Sequence, residues 1–483
     1  MTTPEKRLTQ FLRNWGVETH GIDPIPKDKR TDTRSYQLFL MWFSATTNLS
    51  AVVVGAGGPV VFNLSFVAST AVILIVNALW IMIPGYFAIF GPKVGTRCMV
   101  YARFSWGPYG VAIPSFLNVI AMMVYLFFNT IIGGQLLAHV SHKLTIDIGI
   151  VIIALISLAV SFSGYRVLHW FGAIAWIPSL IGICIMLGVG GKHLTTASES
   201  YPAPSASAIL SFAATLAGSG VAWCNMTPDY GVYHSPNASS TRIFLYTYLG
   251  ILLPTLGTEI FGAAFAAAVP SIPSWAAGYD NGNDIGGLTA AVLEPVGGFG
   301  KFLLVLMALG MSSQTTPVMY SCGISLMCVS KIFARVPRYI YAIIATGVAI
   351  PLAIVGRTRF YNVIVACIDI VGYWSAAFAG VVLTEHLVFR RRDFANYEVE
   401  HWDNARKLPS GFAAVLSLFA AMGFVVPCMA QTFYVGPIAK GTGDIGLWIG
   451  LFTASAVYCV LRPLEARWFR DRTDSIQEDL SDK

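Results

Sequence analysis

Apolar runs alternate with short polar or Gly/Pro-rich connections from Tyr36 to Arg462. Each run is long enough to cross a hydrocarbon core of about 30 Å as a helix. The pattern predicts about twelve spans, near 36–63, 67–91, 111–140, 146–164, 167–190, 208–227, 243–269, 299–329, 338–356, 361–389, 410–431 and 442–462.

Two of these runs are spoiled as helices. The first reads M-W-F-S-A-T-T-N-L-S-A-V-V-V-G-A-G-G-P from Met41 to Pro59, with Asn48, Ser50, Gly55, Gly57 and Gly58 interrupting it. An unpaired backbone group in hydrocarbon costs several kcal/mol, so such a break is tolerated only where it faces protein, a ligand or an aqueous cavity. The second reads A-G-S-G-V-A-W-C-N-M-T-P-D-Y-G-V-Y from Ala217 to Tyr233. There Gly218, Ser219 and Gly220 loosen the helix, and Pro228 with Gly231 ends it.

Small residues that only let helices pack closely account for Gly133-Gly134 and Gly182. They do not account for Asn48, Asn225, Pro228 and Asp229, which add polar atoms that packing does not need. Breaks in the first and sixth spans are the arrangement of a five-plus-five inverted repeat with a midplane binding site. The expected organisation is an all-α polytopic membrane protein. Its transmembrane domain covers 35–462, made of repeats 35–205 and 206–392 and two final helices within 408–462, between tails 1–34 and 463–483.

Composition agrees with the pattern. Of 483 residues, 55% are hydrophobic and 12% charged, with a mean hydropathy of +0.64, against roughly 25% charged in a soluble chain. The first ~34 residues are polar and lack the apolar core of a signal peptide. Cations gather in alternate loops: Lys93, Arg97 and Arg103; Arg166; Arg242; Lys331, Arg335 and Arg338; Arg390, Arg391, Arg392, Arg406 and Lys407. This places both termini in the cytoplasm and makes Lys93, Arg97 and Arg103 orientation or gate elements. The longest opposite loop, Asp280 to Glu294, is acidic.

The same asymmetry explains the net charge of +6, so lipid is the expected partner and nucleic acid is not. No CxxC or Cys/His pairing occurs among the eight cysteines and eight histidines, so neither a disulfide framework nor a metal site is expected. There is no phosphate-binding Gly-rich loop ending in Lys-Ser/Thr, and hence no expected coupling to ATP and no cofactor beyond a coupling ion. Nothing in the sequence sets an oligomeric state.

Candidate chemistry lies in the spans. Tyr125 and Asn129 are four residues apart and share a helix face. An aromatic face beside an amide suits a planar heteroaromatic solute, while the bland alternative is an amide bonding a neighbouring helix. In G-M-S-S-Q-T-T-P-V-M-Y-S, Gly310 to Ser321, a proline kink at Pro317 is surrounded by hydroxyls and by Gln314, a primary amide that needs several partners. Glu259 and Asp369 are intramembrane acids, each either a carrier of a coupling proton or a fixed structural acid. A channel would need a polar pore stripe or a charged ring, and a membrane enzyme would need clustered acids or metal ligands. Neither pattern is present.

Several ordered motifs carry a resemblance: E-T-H-G-I-D-P-I-P with R-T-D-T, W-F-S-A-T-T-N-L-S-A-V-V-V-G, F-G-P-K-V-G-T-R-C-M-V-Y-A-R-F-S-W-G, and W-C-N-M-T-P-D-Y with Y-H-S-P. From about Glu18 to the last span the chain resembles the fungal purine-cytosine permease branch of the nucleobase:cation symporter family. The resemblance implies a LeuT-like fold in the plasma membrane, importing nucleobases such as cytosine, adenine, guanine or hypoxanthine with a cation, typically a proton. It assigns Ser50, Asn129, Trp223 and Pro317 to substrate-contact positions. Gln314 stands where asparagine is usual, Tyr125 where tryptophan is usual, and Val318 where an asparagine often reads the base. Candidate substrate contacts are therefore Ser50, Tyr125, Asn129, Gly220, Trp223, Gln314, Pro317 and Val318. Because an edge-reading amide controls specificity more than area does, vitamin B6 or another small heterocycle is the alternative substrate.

Overall fold

The structure is a computed structural model that describes residues 21–162, 174, 176–196 and 201–481. The helices that carry the argument are α1 (Tyr36–Thr46), α2 (Leu49–Val60), α3 (Phe66–Trp80), α4 (Ala112–Ala138), α5 (Ile146–Phe162), α6 (Trp176–Gly190), α7 (Ala206–Val221), α8 (Ser240–Ala268), α9 (Ile285–Leu293), α10 (Gly298–Val329), α11 (Arg338–Gly356), α12 (Phe360–Thr384), α13 (Phe412–Cys428) and α14 (Gly446–Ser481). Among the described residues the only sheet is a small antiparallel ribbon, β1 (Ala430–Gln431) with β2 (Tyr434–Val435), between α13 and α14.

The first expected break lies between α1 and α2, which meet at 57°. Its polar residues satisfy the backbone that the break exposes. Thr46 and Thr47 donate their hydroxyls to the carbonyls of Trp42 and Phe43, at 2.8 and 2.6 Å. Asn48 takes an extended backbone, and its Oδ1 accepts from the amides of Ser50 and Ala51 at 2.8 and 3.3 Å, capping α2 as asparagine does at helix N-termini. The glycines serve a different purpose. A Cβ at Gly55 would lie 2.0 Å from the Glu259 carbonyl oxygen, and one at Gly262 would lie 2.0 Å from that of Val52, so α2 and α8 cross backbone to backbone.

The second break follows α7, where the chain tightens into 3₁₀ turns at Ala222–Asn225 and Thr227–Tyr230. Gly218 on α7 faces Gly372 on α12, whose Cβ would sit 2.6 Å from the Gly218 Cα. Asp229 is buried, and its carboxylate accepts from the Cys98 amide at 2.6 Å. Arg97 is equally buried: it donates to the Asp229 carbonyl at 2.5 Å and lies over the rings of Tyr233 and Tyr320. Arg103 pairs with Asp403 at 2.9 Å.

Among the described residues eight helices are long and apolar enough to span a membrane, or nine if the bent α1–α2 pair is one span. One of these, Tyr339–Phe389, carries a 3₁₀ turn at Arg357–Arg359 and covers two of the expected runs. The runs at 146–164 and 410–431 form shorter apolar helices. The expected fifth span begins at 167, and its first part lies outside the described residues, as does most of the expected N-terminal tail. α14 continues to Ser481, well past the expected boundary at 462.

The acidic connection around Asp280 carries helical structure. It folds as Pro273–Tyr279 and α9, with Asp284 capping α9 through the Gly287 amide at 2.8 Å. Asp284 also holds His139, at the C-terminal end of α4, at 2.7 Å. That hydrogen bond raises the pKa of His139 above its ordinary value, although burial works against it. The pair therefore contributes fully below the ordinary histidine value, and the contribution is lost as pH rises through the raised one. A series of melting temperatures against pH should show this loss in the wild type and not in His139→Gln, with a small amplitude because the imidazole is partly exposed.

Candidate substrate-binding site

A cavity opens where α1 and α2 part, walled by α3, α4, α8, α10, α12 and the end of α7. About 40 Å³ of it is open to the centres of water molecules, above the roughly 10–15 Å³ that one water needs. Ser50, Tyr125, Asn129, Gly220, Trp223 and Gln314 all line it, as does Glu259.

Tyr125 and Trp223, both on the wall, lie nearly in parallel, with ring centroids 6.4 Å apart and planes at 20°. A flat ring held between two others needs roughly 7 Å, at about 3.5 Å per contact, so the two rings must part to admit one. Trp223 is set by Trp42, whose ring meets it edge-on at 5.5 Å. Tyr230 packs on the same Trp42 at 5.4 Å.

Polar groups lie beside these rings. Ser50, exposed by the helix break, donates its hydroxyl to Asn129 Oδ1 at 2.6 Å. This fixes the amide and leaves Asn129 Nδ2 buried without a partner. Gln314 Oε1 is likewise buried and unpartnered. A buried amide group without a partner costs about 1–3 kcal/mol, so two residues of one cavity wall each hold an unmet hydrogen-bonding group, a donor on Asn129 and an acceptor on Gln314.

Glu259 is the one charged side chain on the wall. Its Oε2 accepts from Asn77 Nδ2 at 2.6 Å, and the same nitrogen donates to the Ile73 carbonyl at 3.0 Å. Both residues are only 1% exposed.

The remaining sequence candidates lie elsewhere. Pro317 and Val318 are off the cavity wall: Val318 is packed in the core and the Pro317 carbonyl accepts from Tyr230 Oη at 3.0 Å. They sit about one turn beyond Gln314 on α10, roughly 5 Å along the helix at 1.5 Å per residue. Asp369 is also off the wall, accepting from Gln431 Nε2 at 2.9 Å. Gln431 in turn meets Tyr373 Oη at 2.7 Å and Asp444 Oδ2 at 3.3 Å, which ties α12 to the connection between α13 and α14.

Sequence reasoning missed Asn77, Thr46, Thr255 and Ser219 as wall residues. Asn77 was detectable as a lone amide in the apolar run of α3, and Thr255 as a hydroxyl four residues before Glu259. Among the described residues no group of three or more His, Cys, Asp or Glu could hold a metal ion. The wall thus brings two aromatic rings, two amides with unmet hydrogen-bonding groups and one carboxylate around a single space.

Comparison with known proteins identifies the scaffold. Residues 24–450 match a family described as permease for cytosine/purines, uracil, thiamine, allantoin. The chain belongs to this permease family. It is a family of transporters, not of enzymes. The permease is 34% identical to purine-cytosine permease fcyB of Emericella nidulans, over 96% of its own length and 92% of that relative's. A more distant relative is the vitamin B6 transporter TPN1 of Saccharomyces cerevisiae, 26% identical over 96% of the permease and 90% of the relative. In three dimensions the permease is similar to Mhp1, a nucleobase-cation-symport-1 family transporter solved in a closed conformation with bromovinylhydantoin bound. The TM-score is 0.69 at 16% identity, covering 94% of the permease and 96% of Mhp1. The permease thus has the LeuT-like fold of Mhp1.

Proposed function

We propose that this permease imports a nucleobase, cytosine or a purine such as adenine, guanine or hypoxanthine, by symport with a proton. The observation that carries the reading is the combination of a near-parallel Tyr125/Trp223 pair with unpartnered Asn129 Nδ2 and Gln314 Oε1 on one wall. Two ring faces supply stacking area, and a donor beside an acceptor matches the edge of a base, which presents the same groups in reverse. The ring would insert between Tyr125 and Trp223 with its polar edge toward Asn129 and Gln314, near Ser50 and Gly220.

The reading includes about twelve spans arranged as two inverted repeats and two final helices, with both termini cytoplasmic and the plasma membrane as location. The Lys/Arg-rich loops support that orientation. Rocking one bundle against the other would expose the ring to each side in turn. Vitamin B6 is the second reading, favoured by the match to TPN1.

Uptake of radiolabelled cytosine in cells lacking their own nucleobase permeases, with purines, pyrimidines and pyridoxine as competitors, tests the proposal. Saturable uptake competed by purines is the expected result. Uptake competed by pyridoxine alone selects the second reading, and absence of saturable uptake of any panel member refutes both.

A further inference from the structure

The wall of the cavity carries a carboxylate that ring binding does not use. Glu259 is buried on α8, and its partner is the amide of Asn77. The groups that face it from each packed element are Asn77 from α3, the backbone at Gly55 from α2, Thr255 from its own helix and, across the cavity, the Tyr125 phenol. Among the described residues none of these is cationic, and no salt bridge involves Glu259. A lone carboxylate at membrane depth is expensive when ionised, and no neighbour offsets the charge. Taking up a proton removes that cost and turns an acceptor-only group into one that also donates.

Asp369, the other intramembrane acid, does not share this setting. It lies off the cavity and is bonded to Gln431, in a network that reaches Tyr373 and Asp444. Only Glu259 sits both beside the space for the ring and against the broken helix. A Cβ at Gly55 would come within 2.0–2.5 Å of the Glu259 backbone, so a shift of α2 and a shift at Glu259 cannot be independent.

Resting on the reading of this chain as a proton-coupled carrier, we infer that Glu259, held by Asn77, is the site that binds the coupling proton. The proton arrives from the outer solution and forms an O–H bond on the Glu259 carboxylate as the ring enters. On the inner side that bond breaks and the proton leaves with the substrate, restoring the carboxylate. No other reactant is needed. Neutral Glu259 permits the cavity to close over the ring, whereas the empty, charged state keeps it hydrated.

The test uses the purified full-length protein in liposomes, with radiolabelled cytosine, the membrane potential clamped to zero and an imposed proton gradient. One proton per substrate allows about tenfold accumulation per pH unit, since each unit is 1.36 kcal/mol. Wild type should approach that ratio. Glu259→Gln should reach only equilibrium, its remaining uptake no longer following the gradient, and Glu259→Asp should regain gradient-driven accumulation. Accumulation in Glu259→Gln equal to wild type, or wild-type accumulation driven by sodium with no response to protons, overturns the assignment while leaving the carrier intact. Wild-type protein that moves neither cytosine nor any other panel member refutes the carrier reading itself. Asn77→Leu serves as a second variant should Glu259→Gln misfold. Losing the donor to the carboxylate should move the pH of half-maximal uptake away from the wild-type value, and an unmoved profile counts against the assignment.

Discussion

Asn129→Ala should raise the cytosine concentration for half-maximal uptake by about 10- to 100-fold, in protein delivered normally to the membrane. The magnitude follows from leaving one buried polar group on the substrate unmatched, about 1–3 kcal/mol. The amide also orders its surroundings, because Ser50 donates to its Oδ1 at 2.6 Å and so fixes which atom is left for the ligand. Ser50→Ala should therefore do less, on the order of fivefold, the value of about one ordinary hydrogen bond. Initial-rate uptake over a range of cytosine concentrations checks both. An unchanged half-saturation in Asn129→Ala removes this residue from the site.

Gly55→Ala should cost more in folding than in recognition. The added methyl would meet backbone rather than a flexible side chain: the carbonyl oxygen, Cα and carbonyl carbon of Glu259, at 2.0, 2.4 and 2.5 Å. Overpacking of this kind costs about 1–3 kcal/mol when neighbours can adjust, and α8 can adjust only by moving away as a whole. A lower melting temperature in detergent and poor delivery to the membrane are the expected outcomes. Gly57→Ala, on the same helix, makes the control, since its Cβ would come no closer than 3.4 Å, to the Tyr361 hydroxyl, and should be tolerated. Equal melting temperatures for the two variants would mean that the α2–α8 crossing is not the close contact described.

The apolar runs made most helices legible, because twenty or so apolar residues in a row have few alternatives to spanning a bilayer. The bend at Asn48 was legible for a related reason: an asparagine and three nearby glycines in such a run announce exposed backbone. What Asn48 does there, capping α2 through Ser50 and Ala51, is local chemistry and follows from spacing alone. Contacts between distant segments were not legible. Tyr125 and Trp223 lie nearly a hundred positions apart, and only tertiary packing makes them parallel. Asn77 escaped notice because one amide in α3 reads as a neutral exception until Glu259 is seen beside it. The helix α9 lies in the connection whose acidity was legible, but no secondary structure was read there from the sequence; Asp284 serves as its cap. Pro317 and Val318 were drawn toward the site by resemblance; in the structure Val318 packs in the core and the Pro317 carbonyl accepts from Tyr230.

The central claim is that a planar ring is held between Tyr125 and Trp223. A cryo-electron microscopy map of the protein with the strongest competitor from the uptake panel bound tests it most directly. The account predicts flat density between these two rings, with its polar edge toward Asn129 and Gln314. A ring seated elsewhere, with Tyr125 and Trp223 still packed as a near-parallel pair, would contradict it.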